Sequence, residues 1–358
     1  MKRRDLLVGA GALGLAATSK TKAAGQSTFK WKMVTTWPPN FPGLGTGVVR
    51  MARNIEAASA GRIKIKVFAA GELVPAFEVF DYVSGGGAEM GHGAAYYWRG
   101  KNESTQIFTA IPFGLNAMEL NGWLYFGGGM ELYRKLYEPF NLRPNPCGNT
   151  GTQMGGWFKK EINSVDDLQG LKMRIPGFGG EVLRRAGGTP VAMPGGEIFT
   201  ALQTGTIDAA EWIGPYNDLT FGFHKAAKYY YYPGWHETGP ALECIINQQA
   251  FDSLPEDLQA IVDIACSATN DQMMAEYVAR NAFALSELEQ MKDIKIAPFP
   301  KDVLAAFEKA TDEIIAEIEK RDQQFANIYA SFLDYKNTVS KWTEISEFAM
   351  LANRYRKD

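Results

Sequence analysis

EVFDYVSGGGAEMGHG (Glu78–Gly93) and EIFTALQTGTIDAAEW (Glu197–Trp212) superimpose without a gap. Both open on Glu-aliphatic-Phe, and an apolar position, a glycine turn and a short strand then coincide. Strand-like segments precede both, VFAAGELVP in one case and TPVAMPGG in the other. A helix-glycine-strand unit used twice predicts an α/β chain of two similar lobes. Each lobe then delivers a strand end and an aromatic loop to a common place, Tyr96-Tyr97-Trp98 from one and Trp212 from the other. Coincidence between two ordinary units of this kind is the competing explanation.

Outward from this pair, short β-rich runs alternate with helical ones. FKWKMVTTW from Phe29 reads as a strand, Gly45–Ala60 as a helix closed by Gly61, and RIKIKVF as a strand. Pro75–Val83 reads as a helix ended by three glycines, Gly85 to Gly87. Asn116 with Glu119 makes a capping arrangement for a helix toward Phe126. Ser253, followed by Pro255 and Glu256, is the expected N-cap of a long helix reaching about Met291, suited to bridge lobes. A short strand over Lys292–Pro298 and two or three further helices complete the chain. The expected division is 27–150 with about 240–285 in one lobe, 151–239 with about 286–335 in the other, and a C-terminal helix over 338–358. In that last helix Trp342, Ile345, Phe348, Ala352 and Tyr355 fall on one stripe, suited to exchange between two copies of the chain.

With 358 residues, 46% hydrophobic and 22% charged, the chain is long enough for two lobes with cores of their own. Residues 1–24 read as an export signal: Lys2, Arg3 and Arg4, an apolar run from Leu6 to about Ala17, and small residues at Ala23 and Ala24. The paired arginines resemble a twin-arginine signal, with Sec export open and an uncleaved anchor as the competitor. GAGALG within it matches a dinucleotide fingerprint only formally, since no strand precedes it. Removing residues 1–23 takes away five Lys/Arg and one Asp, leaving 32 basic and 39 acidic side chains and a net charge of −7. That balance points away from nucleic acid as a partner. Cys147, Cys244 and Cys266 form no C-x-x-C motif and are odd in number, so pairing cannot be read from them.

Enzyme templates are missing: no G-x-S-x-G, no H-E-x-x-H and no P-loop. His92, His224 and His236 each read as structural or loop residues. A polar set remains in the second lobe, at expected strand ends and in the loops beside them. Gln153 lies in NTGTQMGGWF, which reads as a strand entered through a glycine turn, Arg174 in LKMRIPG, Glu211 and Trp212 close DAAEW, and Glu237 sits in the loop of GWHETG. Ligands in open α/β sheets collect beyond the carboxyl ends of strands. Arg174 is suited to clamp a small carboxylate through two parallel hydrogen bonds, against a surface salt bridge with Glu211 or Asp208. A carboxylate beside a bound carboxylate repels it unless one is protonated or a cation sits between them. Oxygens of Gln153, Glu211, the Trp212 carbonyl and Glu237 would suit Na⁺ or Ca²⁺, and only a divalent ion neutralises two acidic ligands, a monoanion and one arginine.

RIPG followed by a helix, then GGTPVAMPGGEIFTALQTGTIDAAEWIGP and YYYYPGWHETG, resembles the periplasmic solute-binding subunits of tripartite ATP-independent periplasmic (TRAP) transporters. The likeness runs from about Phe29 to the C-terminal helices and is greatest to the branch that binds 2-oxo or 2-hydroxy monocarboxylates, such as pyruvate or lactate, with a metal ion. It implies the two-lobed periplasmic-binding-protein fold, with crossing strands, a long connecting helix and extra C-terminal helices. It also implies no catalysis, capture of a small organic acid, delivery to TRAP permease subunits in the membrane, and dimers built by exchanging the last helix. Residue by residue, the acid's carboxylate falls on Arg174, the metal ligands on Gln153, Glu211, Trp212 and Glu237, and the first lobe's hydroxyl on Tyr97, with Tyr96 the alternative. A binding protein of an ABC-type importer and an exported enzyme acting on 2-oxo acids are the competing readings.

Overall fold

A computed structural model describes residues 27–356; the expected export signal lies outside the described residues. The strands are β1 (Phe29–Thr35), β2 (Ile63–Phe68), β3 (Met90–Gly93), β4 (Leu142–Asn149), β5 (Gly156–Phe158), β6 (Lys172–Arg174), β7 (Thr189–Val191), β8 (Ala209–Ala210), β9 (Tyr229–Tyr232), β10 (Ala241–Asn247) and β11 (Lys295–Pro298). They form two sheets, ordered β2-β1-β3-β10-β4 and β11-β9-β5-β8-β6-β7. The sequence repeat is visible in this topology. β3 lies parallel to β1 and antiparallel to β10, and β8 lies parallel to β6 and antiparallel to β5. The outer neighbours match too, β2 parallel to β1 and β7 parallel to β6.

β10 belongs to the first sheet although it follows five strands of the second, and β11 returns to the second. The chain therefore crosses between sheets repeatedly, and two crossings run side by side. The Gln153 N–H donates to the Glu237 carbonyl at 3.1 Å, and the Gly234 N–H donates to the Gln153 carbonyl at 2.9 Å. Gln153 thus lies in a connector and not in a strand, because β5 begins only at Gly156.

The long helix spans Glu256–Glu289, 34 residues, with Pro255 as its N-cap. Ser253 does not cap it; its hydroxyl donates back to the Ala250 carbonyl at 2.7 Å, closing the short helix Gln248–Asp252. Proline lacks an N–H and holds φ near the helical value, so it serves at a helix start without a side-chain oxygen. From the long helix, the Tyr277 hydroxyl donates to Asn217 Oδ1 at 2.7 Å, and Asn217 Nδ2 donates to the Pro42 carbonyl at 3.1 Å. The Asn116–Glu119 capping box forms as expected, with bonds of 3.0 and 2.9 Å in the two directions. Pro75–Val83 is only partly α-helical: a 3₁₀ turn over Ala76–Glu78 leads into the helix Val79–Ser84.

Buried polar groups fix the loops around the first sheet. His92 is structural: its Nδ1 accepts from Trp37 Nε1 at 2.8 Å and its Nε2 lies 2.9 Å from the Cys147 carbonyl, while burial lowers its pKa to about 4. Glu243 in β10 accepts from Trp98 Nε1 and the Tyr133 hydroxyl, and burial pushes its carboxyl up to about 7 against those donors. It anchors the 3₁₀ turn Ala95–Trp98, which carries Tyr96 and Tyr97. The three cysteines are free thiols in the core. Among the described residues no helix is long and apolar enough to cross a membrane.

Candidate functional site

Four of the six expected site residues wall one cavity of about 240 Å³: Tyr97 from the first-sheet side, and Gln153, Trp212 and Glu237. Tyr96, the alternative to Tyr97, lines it as well. Arg174 and Glu211 are not walls of this space. Both are 1% exposed and lie directly behind Tyr97 and Trp212.

Strand ends put the pair there. Arg174 is the last residue of β6, and Glu211 follows β8, which lies parallel to β6 with Arg174 opposite Ala210. The Arg174 guanidinium donates from Nη1 to Glu211 Oε1 and, at 3.3 Å, to the Glu211 carbonyl; its Nε reaches the Met193 carbonyl at 3.2 Å. Nη2 lies 3.5 Å from the Tyr97 hydroxyl, and Cζ lies 5.1 Å from the Trp212 ring centre. Burial disfavours the charged guanidinium, but the Glu211 carboxylate beside it prevails and holds its pKa above the ordinary arginine value. The sequence left a surface salt bridge open; the observed pair is with Glu211 and buried. Asp208 instead accepts from the Lys172 N–H at 3.1 Å.

Glu211 Oε2 is 3.1 Å from His236 Nε2. Glu237 takes Gln153 Nε2 at 2.7 Å, which orients the amide and leaves Gln153 Oε1 buried without a partner. Burial, with the Glu211 carboxylate behind it, pushes the Glu237 carboxyl well above the usual range. Ligand atoms of Glu211, His236 and Glu237 lie within 4.8 Å of one another. Two acidic side chains this close in the interior, beside an orphaned amide oxygen and with the single charge of Arg174 shared between them, form an oxygen-rich seat short of one positive charge. These residues fit a hard cation.

His236 is the member that sequence reasoning passed over. The signal was its position beside Glu237 in a loop; its 3.1 Å approach to Glu211 depends on a contact 25 residues away in sequence.

Aromatic rings close the site. Trp212 packs edge-on against Trp37, Phe41 and Phe221, with ring centres 6.2, 6.1 and 5.3 Å away. Gly195 lies so near the indole that no side chain fits there. Tyr96 rests on Gly177, whose φ of 59° favours glycine and where a Cβ would meet the tyrosine at 3.1 Å.

Residues 33–322 match the family described as bacterial extracellular solute-binding protein, family 7. A Nostoc sp. protein described as a monocarboxylate 2-oxoacid-binding periplasmic protein is 41% identical over 98% of each chain. The crystal structure of a TRAP periplasmic solute-binding protein from Colwellia psychrerythraea, with bound calcium and pyruvate, is 46% identical; it aligns with a TM-score of 0.89 over 91% of this chain and 100% of that one. A TRAP periplasmic solute-binding protein from Pseudoalteromonas atlantica, with bound sodium and pyruvate, is 43% identical, with a TM-score of 0.89 over 92% and 100%. By sequence and by fold, the chain belongs to family 7 of the bacterial extracellular solute-binding proteins, the binding components of TRAP transporters.

Proposed function

We propose that the protein captures a small 2-oxo or 2-hydroxy monocarboxylate, of the pyruvate or lactate kind, together with one cation, and presents it to the membrane subunits of a TRAP transporter without chemical change. The observation that carries this reading is the buried Arg174–Glu211 pair beside the carboxylate of Glu237 and the unpartnered Gln153 oxygen. Glu211 pairs with the Arg174 guanidinium. A bound carboxylate would take over Arg174, and Glu211, Glu237, the Gln153 oxygen and the Trp212 carbonyl would hold a cation whose charge would offset the carboxylate so released. The cation supplies positive charge to the acid's oxygens; Arg174 supplies the fork, and Tyr97 a hydroxyl. Calcium balances two carboxylates, a monoanion and one arginine, whereas sodium leaves one negative charge buried. The space between Tyr97, Gln153, Trp212 and Glu237 is small and closed by aromatic rings, which favours an acid of a few carbons. Calorimetric titration with pyruvate at graded calcium concentrations tests this, since acid and cation must strengthen each other.

The proposed lobes are 27–150 with about 240–285 and 151–239 with about 286–335, a division supported by the membership of β10 in the first sheet and β11 in the second. Export by the N-terminal signal, cleaved near Ala23 or Ala24, places the protein in the periplasm. A dimer completes the proposal. Among the described residues beyond Thr343 no side chain is buried, and Trp342, Ile345, Phe348, Met350 and Tyr355 are each 62–72% exposed. Apolar side chains so arranged at a chain end fit exchange of the last helix with a second copy. Light scattering is expected to give a dimer, and deletion of residues after Asn337 a monomer; a wild-type monomer at high concentration contradicts exchange.

A further inference from the structure

Behind Tyr96 and Tyr97 lies a second and larger space. A cleft of about 610 Å³ shares both rings with the inner cavity and is walled besides by Phe77, Ile175, Pro190 and Ala192. The two tyrosines form the partition between the spaces. Tyr97 turns its hydroxyl toward Arg174 while its ring packs on Phe77 with centres 4.9 Å apart. Tyr96 stands edge-on to Tyr97, centres 4.8 Å apart. Among the described residues the charged side chains along this cleft are Arg99, Arg184 and Glu181; both arginines pair with the one glutamate at the solvent side and leave one net positive charge there. Glu181 accepts from Arg99 Nη1 at 2.9 Å and pairs with Arg184. What remains facing the space is mostly hydrocarbon and ring.

We propose that the Tyr96–Tyr97 partition sets the length of acid the site accepts, by walling off a cleft that could take the acyl chain of a longer 2-oxo acid once the Tyr97 ring is removed. The inference rests on the proposed function, because it takes the acid's head to be held on the inner-cavity side of the partition, beside Gln153 and Glu237. A short acid ends before the rings. A longer one must drive an acyl tail through the place that the Tyr97 ring fills, and it gains the cleft only if that ring leaves. Each methylene then buried is worth about fourfold in affinity.

The test uses full-length mature protein, saturating calcium, and calorimetric titration with pyruvate, 2-oxopentanoate and 2-oxooctanoate. Wild type is expected to bind 2-oxooctanoate at least 100-fold more weakly than pyruvate. Tyr97→Ala is expected to shift the ratio toward 2-oxooctanoate by about 20-fold or more, whereas Tyr97→Phe, which keeps the ring, leaves the length order as in wild type. Ala192 is exposed and touches neither the acid nor the cation seat, so Ala192→Phe fills the outer cleft with pyruvate affinity unchanged. Added to Tyr97→Ala, it is expected to cancel the gain for 2-oxooctanoate. Should circular dichroism show Tyr97→Ala unfolded, Tyr96→Ala opens the same wall and carries the same expectation. Near-equal binding of pyruvate and 2-oxooctanoate by wild type, an unchanged length order in the alanine variants, or a gain that survives Ala192→Phe would each overturn the partition alone. Failure of every acid to bind wild type would overturn the functional reading and the partition with it.

Discussion

Glu211→Gln is expected to weaken pyruvate binding by about 100-fold or more, although it removes a negative charge from beside an anion. Losing an outer-shell partner costs a metal site 10- to 100-fold, and a direct carboxylate ligand belongs at or above the top of that range. The structure makes the sign decisive. Glu211 Oε1 holds Arg174 and Oε2 meets His236, so in a site without a cation Glu211 is simply the acid's rival for the guanidinium. Its removal would then free Arg174 and tighten binding. With a cation, the same change strips the ion of a ligand and the acid goes with it. The variant also leaves the Arg174 charge buried without its partner, a loss of about 3–5 kcal/mol of stability. Its thermal midpoint is therefore expected to fall. Calorimetry at saturating calcium reads the binding sign, and tighter binding by the variant contradicts a bridging cation.

Arg174→Lys is expected to lower acid affinity by about 30-fold, near 2 kcal/mol. Lysine keeps the charge but offers a point where arginine offers a planar fork. Arg174 uses Nη1 on Glu211 and Nε on the Met193 carbonyl, and the backbone contacts fix the plane of its guanidinium. An ammonium at the end of a flexible stem cannot hold both that backbone contact and a carboxylate. Unchanged affinity in calorimetric titration of the variant would contradict the carboxylate clamp.

What the sequence disclosed and what it withheld have physical causes. The repeat at Glu78 and Glu197 was legible because a glycine turn between an amphipathic helix and a short strand is local chemistry, and the paired β1-β3-β10 and β6-β8-β5 arrangements follow from it. Arg174, Glu211 and Trp212 were legible as strand ends for the same reason. Long-range closure was not. Nothing near Lys295 announces a parallel partner at Tyr229, and nothing near Gly151 announces that Gln153 sits in a connector bonded to Glu237. Glu243 gave no signal either, since an acid inside the fully buried strand β10 is explained only by Trp98 and Tyr133, both more than 100 residues away. Ser253 misled because its hydroxyl donates back to the Ala250 carbonyl, while the long helix starts three residues on at Glu256 with Pro255 as its N-cap.

Coupling between cation and acid is the centre of the account, and one titration reaches it: pyruvate into wild-type protein, first in sodium-free buffer with a chelator, then at rising calcium. Reciprocal linkage requires the apparent affinity for pyruvate to climb with calcium until the cation site fills, and the affinity for calcium to rise by the same factor when pyruvate is present. The account predicts binding near the limit of detection in the first condition and a gain of at least about 100-fold at saturation. Pyruvate affinity indifferent to both chelator and cation would contradict it.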